Sequence, residues 1–193
     1  MFVKTVSEDE ATGAVADFYE EFRADMGHVP NFARAFSLRP EALVAWEELL
    51  MTVKTNMEFR RYEIATIGAA RALSSSYCML AHGSALMKNG MSSDDLEDLA
   101  RSGGGVSDAE RAVFDFAGKV ARDATSVSAS DIEGLRKHGL SDTEIFDVAA
   151  TAAARCFISK MADAMGAQPD AHYHGLDAGL KEALVVGRPI DGG

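Results

Sequence analysis

The sequence predicts an all-α protein, a helical bundle with short connections, on three observations. Helix-start signatures recur, with Ser7 and Glu10, Ser107 and Glu110, and Ser141 and Glu144 each forming a capping-box pattern. Apolar residues follow them at spacings of three and four, the period of a helix with one buried face. No run alternates in the manner of a strand, and Val185-Val186 is too isolated to count as one.

The elements follow in chain order. Beyond Ser7, the residues Ala11, Val15, Phe18, Tyr19 and Phe22 make an apolar stripe that Gly27 ends. Pro30 and Pro40 each suit a first helical position. The helix from about Pro40 to Thr55 carries Leu43, Trp46, Leu50 and Val53 on one face. Another runs from near Glu58 to about Leu73, where the run Ser74-Ser75-Ser76 breaks it. The next covers about Ser76 to Lys88 and stops at Asn89-Gly90. Ser92 or Ser93 caps a short helix to Arg101, and Ser102 to Gly105 reads as a flexible linker. Ser107 opens a helix with Val113, Phe116, Ala117 and Val120. Ser128 or Ser130 caps one from about Asp131 to Lys137, closed by Gly139. Ser141 opens a long alanine-rich helix to about Met165, ended by Gly166.

At 193 residues the chain is long enough for one core, or for two small halves that share one. We read a single all-helical domain, with a core over about 7–170 and a tail over 171–193 that is loose or lies at a subunit interface. A shift of 81 residues sets Glu63-Ile64 on Glu144-Ile145 and Cys78 on Ser159, so two related helical halves are one reading. The formal net charge of -11 makes nucleic acid and anionic membranes poor partners. Two cysteines, Cys78 and Cys156, are too few for a disulfide scaffold and fit a reducing compartment. With no signal peptide or membrane-length apolar run, a cytoplasmic protein is expected.

The chemistry concentrates between Glu63 and His82. On a helix, Cys78 and His82 project from one face, one turn apart. The serine run just before Cys78 is where an N-cap is expected, and the positive end of a helix dipole favours a thiolate in the first turn. Glu63 lies on the preceding segment, which must fold back to reach the pair. The competing readings are plain: a free cysteine is often core, a lone histidine is often structural, and an acid near a helix start is favoured by the dipole alone. Ser75 reads either as a cap alone or as part of the site, and Tyr77 either shapes a pocket or simply packs. Cys156 reads as core. His172 and His174, two apart in the tail, are a weak ligand pair, so no metal and no cofactor is expected.

The run Glu63, Ser75-Ser76-Tyr77-Cys78 and His82 resembles the signature of the alkylhydroperoxidase D and carboxymuconolactone decarboxylase superfamily. That signature is a glutamate, a Cys-x-x-Cys and a histidine one turn beyond the second cysteine. The flanks Ala11 to Tyr19, Val29 to Phe32, Ala162 to Gly166, Pro169-Asp170 and Tyr173 are similar to its peroxidase-related branch. The resemblance implies an alkylhydroperoxidase D-like helical fold and a homo-oligomer, whether dimer, trimer or hexamer. It implies that Cys78 attacks a small peroxide, that His82 is the base, and that Glu63 orients His82 or a water. Ser75 and Tyr77 would then belong to the pocket.

Ser75 stands where the family's first cysteine belongs. A hydroxyl cannot close a disulfide with a sulfenic acid, and three expectations follow. Cys78 works as a lone thiol with an external thiol reductant, or Cys156 resolves it. Otherwise the site does acid–base chemistry with Glu63 and His82, as a decarboxylase-like lyase. A non-catalytic, oligomeric ligand-binding protein is the remaining reading.

Overall fold

The structure is a computed structural model that describes residues 1–192, and among them it is all-helical. Ten α-helices are present: α1 Ala14–Met26, α2 Asn31–Phe36, α3 Pro40–Lys54, α4 Phe59–Ala72, α5 Ser76–Lys88, α6 Ser93–Ser102, α7 Asp108–Asp123, α8 Ala129–Lys137, α9 Asp142–Met165 and α10 Ala178–Leu184. Short 3-10 turns lie at Ala124–Ser126 and Ala171–Gly175. None of the helices is long and apolar enough to cross a membrane.

Most boundaries follow from local chemistry. The Ser107 and Ser141 hydroxyls accept from the backbone N–H of Glu110 and Glu144, and both glutamates reach back to the capping serine. Gly166 ends α9 in the left-handed region at φ 78°. Pro40 is the first residue of α3, but Pro30 sits one place earlier, as the N-cap of α2. The pattern at Ser7 behaves differently. Its hydroxyl bonds Glu10 at 2.9 Å, yet that pair closes a turn, and α1 starts only after Gly13.

Two further segments, the Ser102–Gly105 linker and the tail, pack on their own chain. The Ser102–Gly105 stretch is a packed turn: a Cβ on Gly105 would lie 2.5 Å from the Asp95 carbonyl oxygen. The tail is also held on its own chain as far as it is described. Tyr173, Leu180, Leu184 and Ile190 are buried, and Leu180 and Leu184 share one face of α10, which packs on α6 and α5. Gly193 lies outside the described residues.

The core forms around α4, which is buried along most of its length and packs most extensively on α7. Gly68 allows that approach, since a Cβ there would stand 2.3 Å from the Phe114 carbonyl oxygen. α9 lies against α4 and α7 and also touches α3 and α5. α4 and α5 are two helices because of the serine run. Ser74 takes a left-handed conformation, φ 55°, a place usually filled by glycine. The N–H groups of Ser74 and Ser75 turn back to the carbonyls of Arg71 and Ala70 at 3.1 and 2.9 Å. The chain then reverses, and α5 returns along α4.

The tail closes over this break. Gly187 N–H donates to Ser76 Oγ at 2.8 Å. A Cβ on Gly187 would lie 2.0 Å from the Ser74 carbonyl oxygen, a backbone atom that cannot move alone. Gly187→Ala should therefore destabilise the protein by roughly 1–3 kcal/mol, the usual range for overpacking. Urea unfolding of the two proteins checks this, and an unchanged midpoint would contradict the clasp.

Candidate active site

The site forms where α5 returns past α4 and meets α9. Cys78 occupies the first turn of α5 and is buried, with 7% of its surface exposed. Its Sγ lies 3.1 Å from Ser159 Oγ on α9. These are the two positions that the 81-residue shift equates. One turn along α5, His82 Nδ1 lies 2.6 Å from Glu63 Oε2 on α4. A carboxylate has no hydrogen to give, so Nδ1 carries it and Nε2 keeps its lone pair.

The backbone reversal thus brings Glu63 to His82, and helical spacing brings Cys78 and His82 to one cavity. That cavity holds about 290 Å³ and is lined by Tyr77, Cys78 and His82 together with Phe32, Trp46 and Arg155, among others. No direct hydrogen bond joins Cys78 to His82: the thiol faces Ser159 and the imidazole faces Glu63. Glu63 is buried behind His82, outside the cavity lining. Ser75 is the N-cap residue of α5, yet its hydroxyl does not cap the helix. Its Oγ is buried without a well-formed hydrogen bond, and the residue does not line the cavity.

Tyr77 is fixed by groups distant in sequence. Its hydroxyl donates to Asp170 Oδ2 and accepts from the Phe32 N–H at 3.3 Å. Asp170 Oδ1 accepts from the Asn31 N–H at 2.9 Å. Burial, and then the Asp170 charge, push the Tyr77 hydroxyl well above its ordinary value, so it remains a neutral donor.

Four polar groups that the sequence reading passed over stand beside the cavity. Arg155 is almost fully buried, and its Nη2 donates to the Tyr62 hydroxyl at 2.9 Å. Its guanidinium lies 5.3 Å from the Trp46 ring centroid. Lys54 Nζ sits 5.1 Å from the centre of the Tyr62 ring. Arg155 was detectable: it falls on the stripe Val148, Thr151, Ala152, Arg155, Ser159 and Ala162, all buried on α9. A charge on an apolar stripe is a signal in itself. Ser159 was visible only through the shift, and Lys54 and Tyr62 carry no local mark.

Cys156 does not join Cys78. Its thiol points to the Ala121 carbonyl on α7 at 3.7 Å, and both cysteines are free. Burial holds the Cys156 thiol above its ordinary value, which suits a packing role. Elsewhere, His28, Asp170 and His172 bring donor atoms within 4.8 Å of one another. His174, the other half of the pair noted in the sequence, bonds the Asp191 carbonyl instead, at 3.0 Å. Both oxygens of Asp170 already accept hydrogen bonds, from Asn31 and Tyr77.

Burial, and next the positive charge of Arg155, hold His82 below its ordinary value of 6.5, although the bond to Glu63 works in the other direction. Between the folded value and 6.5 the unfolded chain binds a proton that the folded chain does not, so His82 costs stability as pH falls through that window. The advantage of the wild type over His82→Gln in urea unfolding should therefore shrink as pH falls below 6.5. An NMR titration of the imidazole should give a midpoint under 6.5, and a midpoint at or above it would refute this.

Residues 40–119 match the carboxymuconolactone decarboxylase family. No curated protein matches the sequence. Among solved structures, the alkylhydroperoxidase AhpD core of an uncharacterized peroxidase-related protein from Ralstonia eutropha JMP134 is similar, with TM-score 0.78 and 22% identity over 89% of this chain and 93% of that one. A peroxidase-related protein from Silicibacter sp. TM1040 gives 0.72 and 24%, covering 91% and 92%. A cysteine-to-alanine variant of the debrominase Bmp8, in complex with 2,3,4-tribromopyrrole, gives 0.74 and 16%, covering 95% and 97%. At these identities the structures establish the fold. The matched stretch 40–119 contains Glu63, Cys78 and His82, and the chain has the alkylhydroperoxidase D-like helical fold.

Proposed function

We propose that the protein is a thiol-dependent enzyme that reduces organic hydroperoxides with Cys78 as its one active thiol. The observation that carries this reading is the buried thiol at the start of α5, in a cavity shared with a histidine held by a carboxylate. His82 Nε2 takes the thiol proton through an intervening water, since the two side chains make no direct bond. Ser159 Oγ donates to the resulting thiolate. The sulfur attacks the terminal peroxide oxygen and forms an S–O bond. The O–O bond breaks, and the alkoxide leaves as an alcohol with the proton from His82. Cys78 is left as a sulfenic acid. One molecule of an external thiol displaces water to give a mixed disulfide, and a second releases Cys78 as an oxidised disulfide forms.

Loss of the family's first cysteine to Ser75 is what calls for an external reductant, and the placement of Cys156 against Ala121 supports the same conclusion. Two free cysteines suit a cytoplasmic setting. A homo-oligomer is supported by the exposed Leu49 and Met51 on α3 and Phe146 and Phe157 on α9.

The Glu63–His82 pair favours a second reading, a decarboxylase-like lyase that works by acid–base chemistry without the thiol. Turnover of cumene hydroperoxide with an external thiol separates the two. Cys78→Ser should fall to background, and His82→Ala should lose roughly 10²–10⁴-fold, the scale of general-base catalysis. Mass spectrometry after one equivalent of peroxide should find one added oxygen on Cys78. If Cys78→Ser keeps turning over a carboxylated lactone and the wild type ignores peroxide, the second reading holds.

A further inference from the structure

Arg155 carries a buried positive charge that no carboxylate balances. It is 3% exposed, and among the described residues no acidic group forms an ion pair with it. Nη2 is used by the Tyr62 hydroxyl, a neutral acceptor, while Nε is buried without any partner. Buried guanidinium groups are ordinarily paired, because an unpaired one keeps the cost of leaving water. Arg155 is one of the residues that line the cavity containing Cys78 and His82.

A second cation converges on the same space. Lys54 lines the cavity from α3, with its ammonium above the Tyr62 ring. Glu63 is the buried acid of this region, and its Oε2 is occupied by His82. Glu47, at the rim, is exposed and does not pair with either cation. The clustering runs against composition, since the chain as a whole carries a net charge of -11. The rest of the lining is largely apolar and aromatic, with Phe32, Trp46, Leu50 and Ile158. An apolar chamber with one unsatisfied guanidinium suits a ligand with a hydrophobic body and one anionic end.

We infer that the cavity beside Cys78 takes an organic substrate bearing a carboxylate, which Arg155 binds and Lys54 draws in from the α3 side. Resting on the thiol-peroxidase reading, this narrows the substrate to an organic hydroperoxide that also carries an acid group. Arg155 orients the molecule by its charge, and the apolar wall between Phe32 and Ile158 takes its body. An uncharged peroxide of the same size lacks that anchor.

Trp46 is the only tryptophan, and it lies against Arg155 in the cavity wall, so its fluorescence reports occupancy directly. The probes are 4-phenylbutyrate and its uncharged amide, added to the full chain and, in parallel, to Cys78→Ser. The carboxylate should bind at least about tenfold tighter than the amide, the scale of a charge-assisted bond to a buried partner. Arg155→Met should abolish that preference and leave amide affinity within about twofold, because it keeps the volume and removes the charge. Arg155→Lys should keep part of the preference, and Lys54→Gln should weaken the carboxylate several-fold; both stand in if the methionine variant does not fold by circular dichroism. Equal binding of acid and amide, no binding of either, or a preference that survives in Arg155→Met would overturn the inference. Turnover plays no part in these measurements. A carboxylate preference without peroxidase activity would remove the proposed function and leave this inference standing, and peroxidase activity without the preference would do the reverse.

Discussion

The hydrogen bond between Glu63 and His82 depends on a helix being interrupted. Without the left-handed Ser74, α4 and α5 would run on as one rod, and the acid and the imidazole would lie about 28 Å apart along its axis, at 1.5 Å per residue. The reversal folds that length back on itself. It also exposes the first turn of α5 to the cavity, which is where Cys78 resides. α9 makes the contrast. It spans 24 residues without a break and supplies the wall opposite. A continuous helix facing a broken one lets Ser159 meet the thiol and Arg155 reach Tyr62.

Such a site concentrates polar groups where the core is otherwise apolar. Tyr62, Glu63 and Arg155 are all nearly inaccessible, and His82 is only partly exposed. Each must find a partner or carry the cost of dehydration. Glu63 has His82, and Tyr62 has Arg155. Arg155 is left over, with an aromatic face against Trp46 and a hydroxyl in place of a counter-ion. The same excess of positive charge helps keep the imidazole neutral, the form that accepts a proton. The arrangement keeps a neutral imidazole and a guanidinium without a counter-ion side by side in one cavity wall.

Much of this could be read along the chain, and the limits have physical reasons. Caps act over three residues, so Ser107 and Ser141 declare their helices unambiguously. Ser7 shows the same pattern, but Gly13 intervenes and leaves a turn in place of a helix start. The short α10 carried a legible Asp177 cap and an apolar pair, Leu180 and Leu184, that the tail's glycine and proline content obscured. In the site, helical spacing made Cys78 and His82 neighbours from the outset. The reach of Glu63 to His82 needed only the turn between two adjacent helices. The Ser159 and Arg155 contacts span 81 and 93 residues, and no local propensity encodes such pairings.

The clasp of Gly187 on the serine run has a bearing on the order in which the site is made. Synthesis proceeds from the N-terminus, and Gly187 lies 111 residues beyond Ser76. Glu63, Cys78 and His82 leave the ribosome long before the segment that pins their turn, and Asp170, which anchors Tyr77, also comes late. During that interval the serine run has only its local hydrogen bonds to hold an unfavourable conformation. Glu63, Cys78 and His82 are thus written early in the chain, and the turn that joins their helices is pinned only once Gly187 has been made.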